Sequence, residues 1–144
     1  MKLILDTNVF VSGVFFSGQP FMILDAWRHG RVSLIISPEI LNEYRRVGEK
    51  LNTQFPGVDL EPWIELLMIR TSLIDAHPLA ERVCDDPDDD KFLACAVASR
   101  TKLICSGDKH LLDVSGYRGI TTMKPRAFVD KHLKKRLFTV SKGI

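Results

Sequence analysis

Residues 2–6 read KLILD, and this short stretch indicates the fold class. Three consecutive apolar residues run directly into an acid, which is typical of a strand buried on both faces in a parallel sheet. Further apolar runs occur at residues 32–36, 102–105 and 119–122, and segments with helical spacing of apolar residues separate them. Strands that alternate with helices predict an α/β protein whose parallel sheet is joined by right-handed crossovers.

The segments between these runs carry recognisable helix signals. Ser37 can cap a helix whose first turn contains Pro38, and the helical spacing continues to about Leu51. A later helix is expected to begin near Asp88 or Asp89, because helical spacing of apolar residues follows directly. The other expected elements are helices at residues 20–29 and 62–68, a helical turn at 111–112, a helix from about Pro125 and a weak strand near 72–74.

Length and composition predict a single domain over residues 1–144. With 45% apolar residues, 26% charged residues and a mean hydropathy of +0.01, the chain can bury a core, which excludes an intrinsically disordered protein. The net charge of +2 is unevenly distributed. Residues 124–144 hold seven basic side chains and one acidic one, whereas residues 1–123 hold 13 basic and 17 acidic ones. We expect an acidic body and a basic C-terminal helix and tail at about 125–144.

Two further patterns bear on the cellular setting. No stretch approaches the roughly 18 consecutive apolar residues of a membrane-spanning helix, and the first residues do not resemble a secretory signal. The three cysteines, Cys84, Cys95 and Cys105, lie among apolar residues and have no C-x-x-C spacing. The cysteines predict reduced thiols in the core of a cytoplasmic protein. The lack of a long apolar stretch predicts that this protein does not associate with a membrane.

Acidic residues are expected to gather at one edge of the sheet. Asp6 closes the first strand, and Asp108 lies three residues past the strand at 102–105. A run of acids at residues 85–90 precedes the helix that leads into this strand. Because ligands of open α/β sheets bind beyond the carboxyl ends of the strands, these acids can meet in one crevice. Glu43 borders the apolar stripe of its own helix, so it is the acid of that helix that should face inward.

Several carboxylates in one crevice repel one another, and a divalent cation would reverse that repulsion. No cysteine or histidine accompanies these acids at ligand spacing, and all-oxygen ligation suits Mg²⁺ or Mn²⁺. Such ions activate water and stabilise the attacking and leaving oxygens of a phosphodiester. The residues therefore predict metal-dependent phosphoryl chemistry.

Four motifs in this order resemble the PIN-domain family of nucleases. They are LILDTNVFVSG at residues 3–13, SPEILNEY at 37–44, DPDDDKFLACAVAS at 86–99 and SGDKHLL at 106–112. The resemblance spans residues 3 to about 126 and is strongest to the bacterial and archaeal subgroup described as toxin components of toxin–antitoxin pairs.

The resemblance implies a three-layer α/β/α sandwich around a parallel sheet of four to five strands, and Mg²⁺- or Mn²⁺-dependent cleavage of single-stranded RNA. It assigns the catalytic, metal-binding acids, in chain order, to Asp6, Glu43, Asp90 and Asp108. Thr7 or Asn8 would hold the first acid and a water molecule in place, and Ser106 would do so beside the fourth acid. It further implies a homodimer and an antitoxin protein that blocks the site.

Two neighbouring residues compete for the third position. The family pattern of an acid followed three and four residues later by Leu and Ala selects Asp90. Helical geometry instead places Asp89 nearer the centre of the apolar face of the same helix. We take Asp90 as the third acid and keep Asp89 as an additional candidate ligand.

The leading hypothesis is a hydrolytic endoribonuclease, the toxin of a toxin–antitoxin pair, with water as the nucleophile. Six basic residues could attract the RNA backbone through a salt-sensitive, sequence-independent force, namely Lys124, Arg126, Lys131, Lys134, Lys135 and Arg136. The alternative is a catalytically silent module of the same fold that binds RNA or an antitoxin. A phosphatase or receiver-like protein is a third hypothesis, although Asn8 stands where phosphatases of the D-x-D type need a second Asp.

Overall fold

A computed structural model describes residues 1–134, and its centre is a parallel four-stranded sheet with the strand order β2-β1-β3-β4. The apolar run that opens the chain forms a central strand, and its side chains at Leu3, Ile4 and Leu5 are almost completely buried. The structure confirms the predicted α/β sandwich with a parallel sheet. The strands are β1 (Lys2–Leu5), β2 (Ser33–Leu34), β3 (Leu103–Cys105) and β4 (Thr121–Met123).

Seven α-helices connect and cover these strands in the part of the chain that the structure describes. Ser37 caps α3 as expected, since its Oγ accepts a hydrogen bond from the backbone N–H of Ile40 at 3.3 Å. Short 3₁₀ turns precede α5 and β4, at Pro87–Asp89 and Tyr117–Gly119. The helices are α1 (Thr7–Phe15), α2 (Gln19–Arg28), α3 (Pro38–Gln54), α4 (Glu61–Arg70), α5 (Asp90–Ser99), α6 (Lys109–Asp113) and α7 (Pro125–Phe128).

The structure departs from the sequence-based expectations at three places. Helix α1 was not expected, because its residues are apolar on most sides and show little helical contrast. The weak strand near 72–74 is only a single parallel bridge between Leu73 and Ile36. The basic C-terminal helix is short, because α7 gives way to a π-helical segment, Val129–Lys134, and the expected tail beyond it lies outside the described residues.

The strand order creates a crevice between β1 and β3. From β1 the chain crosses to β2 on one side of the sheet, and from β3 it crosses to β4 on the other side. Right-handed crossovers that run in opposite directions place their helices on opposite faces of the sheet. The carboxyl ends of β1 and β3 therefore face the point where the two directions diverge, which is where open α/β sheets bind ligands.

Helices α1 and α2 approach each other closely at Gly13. A Cβ atom at this position would lie 2.7 Å from Leu24 Cδ1 and 2.8 Å from the carbonyl oxygen of Pro20. Since the carbonyl belongs to the backbone, the two helices would have to move apart.

We expect Gly13→Ala to lower the free energy of unfolding by about 1–3 kcal/mol, the usual cost of overpacking. Gly57→Ala is the matched control, because a Cβ at Gly57 meets nothing within 4 Å. Thermal unfolding of both variants checks this, and an equal melting temperature for the two would contradict the close helix contact.

Two general properties follow from the described residues. The three cysteines are buried and form no disulfide, and burial raises the pKa of each thiol to about 12. Within residues 1–134 no single helix is long and apolar enough to cross a membrane. Helices α1 and α2 reach the length and apolar composition of a membrane span only when they are taken together, and they meet at an angle of 88°.

Candidate active site

Asp6 lies at the carboxyl end of β1 and is 4% exposed. Its backbone N–H donates a hydrogen bond of 2.9 Å to the carbonyl oxygen of Cys105, which joins it to the end of β3. Its carboxylate oxygen Oδ2 accepts a hydrogen bond of 2.7 Å from the Ser106 hydroxyl. The orientation of this buried acid is therefore set by the neighbouring strand.

Ser106 also connects Asp6 to Asp108. The backbone N–H of Asp108 donates to Ser106 Oγ at 2.9 Å, while the same hydroxyl donates to Asp6. Asp108 in turn caps α6, because its Oδ1 accepts from the backbone N–H of His110 at 2.8 Å. One fully buried hydroxyl thus holds the acids at the ends of two adjacent strands in a fixed relation.

Glu43 reaches the same crevice from α3. The neighbouring Tyr44 fixes this part of the helix, because its hydroxyl donates to the carbonyl oxygen of Leu5 at 2.5 Å and its ring stacks on Phe10 at 4.3 Å. Glu43 Oε1 accepts a hydrogen bond from the Thr7 hydroxyl. The side chain is only 13% exposed, so Glu43 faces inward as expected.

Lys91 contacts Glu43, and the sequence did not predict a role for this lysine. Its ammonium lies 2.6 Å from Glu43 Oε2 and 3.0 Å from Asp88 Oδ1, and the side chain is 15% exposed. Burial alone would lower the pKa of Lys91, but these two carboxylates outweigh it and raise the pKa. The only signal in the sequence is a lysine directly after the acidic run, in the first turn of a helix packed near α3.

The structure places the two candidates for the third acid in different surroundings. Asp90 accepts hydrogen bonds from the backbone N–H groups of Val83, at 3.0 Å, and Cys84, at 2.8 Å, so both of its oxygens hold the preceding loop. These bonds outweigh the effect of burial and lower the pKa of Asp90. Asp89 is buried, and its Oδ2 has no hydrogen-bond partner within residues 1–134.

The electrostatics of Asp89 identify its neighbours. Burial, followed by the negative charges of Asp108 and Asp6, raises the pKa of Asp89 to about 7. The pKa of Asp6 is also raised, first by burial and then by Asp108 and Glu43, although the Ser106 hydrogen bond opposes this. The structure therefore brings Asp6, Glu43, Asp89 and Asp108 into one electrostatic group, which we call the carboxylate crevice, and does not bring Asp90 into it.

Thr7 and Asn8, the two residues predicted to support Asp6, lie in different surroundings. Thr7 is buried and holds Glu43, whereas Asn8 is exposed. Thr7 supports both acids, since its backbone N–H donates a hydrogen bond to the Asp6 carboxylate while its hydroxyl holds Glu43, and the Ser106 hydroxyl supports Asp6 as well.

The donor chemistry of the carboxylate crevice fits a divalent cation, but a complete ligand set is not assembled. Within residues 1–134 no three acidic, histidine or cysteine side chains lie close enough together to share one ion. Glu43 is held by Thr7 and Lys91, and mutual repulsion keeps the other acids apart. The unpartnered, buried oxygen of Asp89 and the all-oxygen donor set nevertheless suit Mg²⁺ or Mn²⁺.

We expect Asp89→Asn to stabilise the metal-free protein increasingly as the pH rises from about 4 to 7. The pKa of Asp89 is about 7 in the folded chain and 3.8 ordinarily. Between these two pH values Asp89 is therefore mostly protonated in the folded state and mostly ionised in the unfolded state. Ionisation therefore costs stability as the pH rises. A gain of ~1 kcal/mol would raise the melting temperature by about 2–4 °C in a domain of this size. Melting curves in chelator at several pH values check this.

The matched control for that experiment is Asp85→Asn, since the side chain of Asp85 is 90% exposed. A stability difference between Asp89→Asn and wild type that stays constant across the pH range would contradict the assignment of the raised pKa to Asp89.

The chain is similar to known proteins over most of its length. The family model described as "PIN domain" matches residues 2–110, which include all four acids of the carboxylate crevice. The chain is 31% identical over 117 residues to the uncharacterized protein MJ1680 of Methanocaldococcus jannaschii, covering 79% of this chain and 75% of the archaeal protein. No solved structure matches the chain significantly.

Proposed function

Because this chain belongs to the PIN-domain family, whose members are generally nucleases, we propose that it is a metal-dependent endoribonuclease that hydrolyses phosphodiester bonds of single-stranded RNA. Membership of the family supports a nuclease-type hydrolase. The metal dependence, the preference for RNA and the cleavage within a strand are the proposed refinements.

The carboxylate crevice carries this proposal. It lies beyond the carboxyl ends of β1 and β3, where open α/β sheets bind their ligands. The pKa values of Asp6 and Asp89 are raised by burial and by the negative charges of neighbouring acids, and Asp89 keeps a buried oxygen without a partner in residues 1–134. Buried carboxylates that lie close together are stable only when a cation or a proton neutralises their negative charge.

Asp6, Asp89 and Asp108 would hold the cation, and Glu43 would complete the site directly or through water. When bound, such a cation stabilises the developing negative charge on phosphodiester oxygens and lowers the pKa of water, the nucleophile of the hydrolysis. Ser106 fixes the orientation of Asp6, while Thr7 and Lys91 fix that of Glu43. Preorganised ligands of this kind reduce the reorganisation that the reaction requires.

We assign the third acid to Asp89, not to Asp90 as the motif alone suggested. Asp90 uses both oxygens to hold the backbone of Val83 and Cys84, which leaves it a structural role. Asp89 faces Asp6 and Asp108. The 3₁₀ turn before α5 turns these two adjacent acids in different directions.

The resemblance to toxin components supports three further proposals. The protein would act as the toxin of a toxin–antitoxin pair, would form a homodimer, and would be inhibited by an antitoxin encoded beside it. A cytoplasmic location is proposed separately, from the three cysteines that are predicted to stay reduced. An adjacent small reading frame with a DNA-binding pattern would support the toxin role, and its absence would leave only the nuclease proposal.

The proposal is tested by incubating the full-length protein with an end-labelled, unstructured RNA and Mn²⁺ or Mg²⁺. We expect internal cleavage that stops when EDTA is added and that is slower on DNA of the same sequence. Absence of cleavage with either ion would contradict the proposal. RNA binding without turnover would favour the catalytically silent module.

A further inference from the structure

A second charged surface lies at the opposite end of the sheet from the carboxylate crevice. Two adjoining depressions, of about 460 Å³ and 110 Å³, share Arg100 and Lys102 in their walls. No acidic side chain lines either depression. We call this surface the basic face, and its cations are Lys2, Arg100, Lys102, Arg118 and Lys131.

The charge of the basic face is not balanced by acids. None of its five cations forms an ion pair within residues 1–134. Two of them contact backbone carbonyl oxygens instead: Lys2 Nζ lies 2.6 Å from the carbonyl of Ser99, and Lys102 Nζ lies 3.4 Å from that of Arg118. The sequence of residues 135–144 contains no Asp or Glu and adds three more basic residues. Within the described residues, the cations of this face are therefore not paired with acids.

Two of the arginines on the basic face have unusual backbone conformations. Arg100 has φ 57° and Arg118 has φ 48°, and they are the two non-glycine residues with positive φ in residues 1–134. Glycine or asparagine normally occupies such positions, because a Cβ there costs about 1 kcal/mol or more. Both strained positions carry a long cation, and both side chains line the same surface, which indicates a binding role for them.

The position of the basic face relative to the crevice suggests what it binds. Lys2, Lys102 and Thr121 mark the amino ends of β1, β3 and β4, whereas Asp6 and Asp108 follow the carboxyl ends. An acidic crevice repels a phosphate chain until cations bind, so affinity for a polyanion must come from another surface. The five cations line two adjoining depressions rather than a single one, which suits a chain of phosphates better than one small anion.

We propose that the basic face binds the backbone phosphates of single-stranded RNA at a distance from the bond that is cleaved. This proposal rests on the proposed nuclease function. A domain of this size is about 30–40 Å across, so a strand of about 10 or more nucleotides is needed to reach both surfaces. Short RNAs would occupy the crevice alone.

The test compares two charge-matched triple variants in RNA binding and in cleavage. Arg100→Gly, Lys102→Gln and Lys131→Gln remove three cations from the basic face, and glycine also relieves the positive φ at Arg100. The control combines Arg28→Gln, Arg45→Gln and Lys50→Gln, which lie on α2 and α3 and line neither depression. Melting temperatures of both variants establish that they are folded.

Binding is measured by fluorescence anisotropy on labelled RNA of about 20 nucleotides, in full-length protein that also carries Asp6→Asn to prevent cleavage. We expect the basic-face variant to bind about tenfold more weakly. The slope of log Kd against log salt should fall by about 2, since each phosphate contact on a single strand contributes about 0.7. The control should bind within about twofold of its parent.

Cleavage is measured without Asp6→Asn, on RNAs of about 4 and 20 nucleotides. The basic-face variant should lose efficiency on the long RNA and keep it on the short one. Equal binding by the two triple variants, or equal losses on both RNA lengths, would overturn the proposal. Polyglutamate that competes as well as RNA, with the same salt slope, would instead indicate an acidic protein partner. If no RNA is cleaved but binding weakens as expected, the nuclease function fails and the RNA-binding surface stands.

Discussion

Asp6→Asn is expected to lower the rate of RNA cleavage about 1,000-fold, the largest single effect at this site. Asp6 is buried at the end of β1, and its carboxylate lies among those of Asp89, Asp108 and Glu43. Asparagine keeps the shape of the side chain and one oxygen for the Ser106 hydroxyl, but it removes the negative charge that would hold a cation. Single-turnover cleavage of the labelled RNA in Mn²⁺ measures the effect.

The fold should survive this substitution. Removing one of several mutually repelling charges lowers the raised pKa of Asp89, so the melting temperature should stay equal or rise. Asp75→Asn, at an exposed position, is the control and should cleave at the wild-type rate. A folded Asp6→Asn protein that cleaves RNA within a fewfold of wild type would contradict the catalytic assignment.

Asp89→Asn and Asp90→Asn are expected to have opposite consequences. Asp89→Asn should lower cleavage about 100-fold and leave the protein as stable or more stable, because Asp89 has an unpartnered oxygen among other carboxylates. Asp90→Asn should lower the free energy of unfolding by about 1–3 kcal/mol, because an amide replaces an oxygen that accepts a backbone N–H of Val83 or Cys84. Cleavage rates and melting curves of both variants make the comparison.

The reverse pattern would contradict the structural assignment. If Asp90→Asn abolished cleavage without loss of stability, and Asp89→Asn had little effect, the third acid would be Asp90, as the family pattern indicates. Equal effects of both substitutions on cleavage would also contradict separate roles for the two residues.

The central sheet and three of the four acids of the carboxylate crevice could be predicted from short-range patterns. Asp6 and Asp108 follow strands, and Glu43 borders an apolar stripe, so their places depend on local periodicity and on the rule for parallel sheets. For the third acid the two sequence signals disagreed, because helical geometry favoured Asp89 and the family pattern favoured Asp90. The structure separates them by contacts that no local pattern shows, since both oxygens of Asp90 accept backbone N–H groups of the preceding loop.

Contacts between residues that are far apart in the chain could not be predicted from the sequence. Lys91 pairs with Glu43 across 48 residues, and the cations of the basic face are scattered from Lys2 to Lys131. Of the six cations expected to attract RNA, Lys131 lines that face, and Lys134 lies 3.3 Å from Asp130. Lys124 and Arg126 are exposed, while Lys135 and Arg136 lie outside the described residues. Charge counts along the chain do not reveal which cations share a surface, because folding decides that.

The proposed mechanism depends on the claim that the carboxylate crevice binds a divalent cation, and calorimetric titration of metal-free protein with Mn²⁺ checks this claim. At pH near 6.5 we expect wild type to bind Mn²⁺ with release of protons, because Asp89 is partly protonated before the ion enters. The double variant Asp6→Asn, Asp89→Asn should lose this binding, while Asp75→Asn should retain it. Binding by the double variant with wild-type affinity, or no binding by wild type, would contradict the claim.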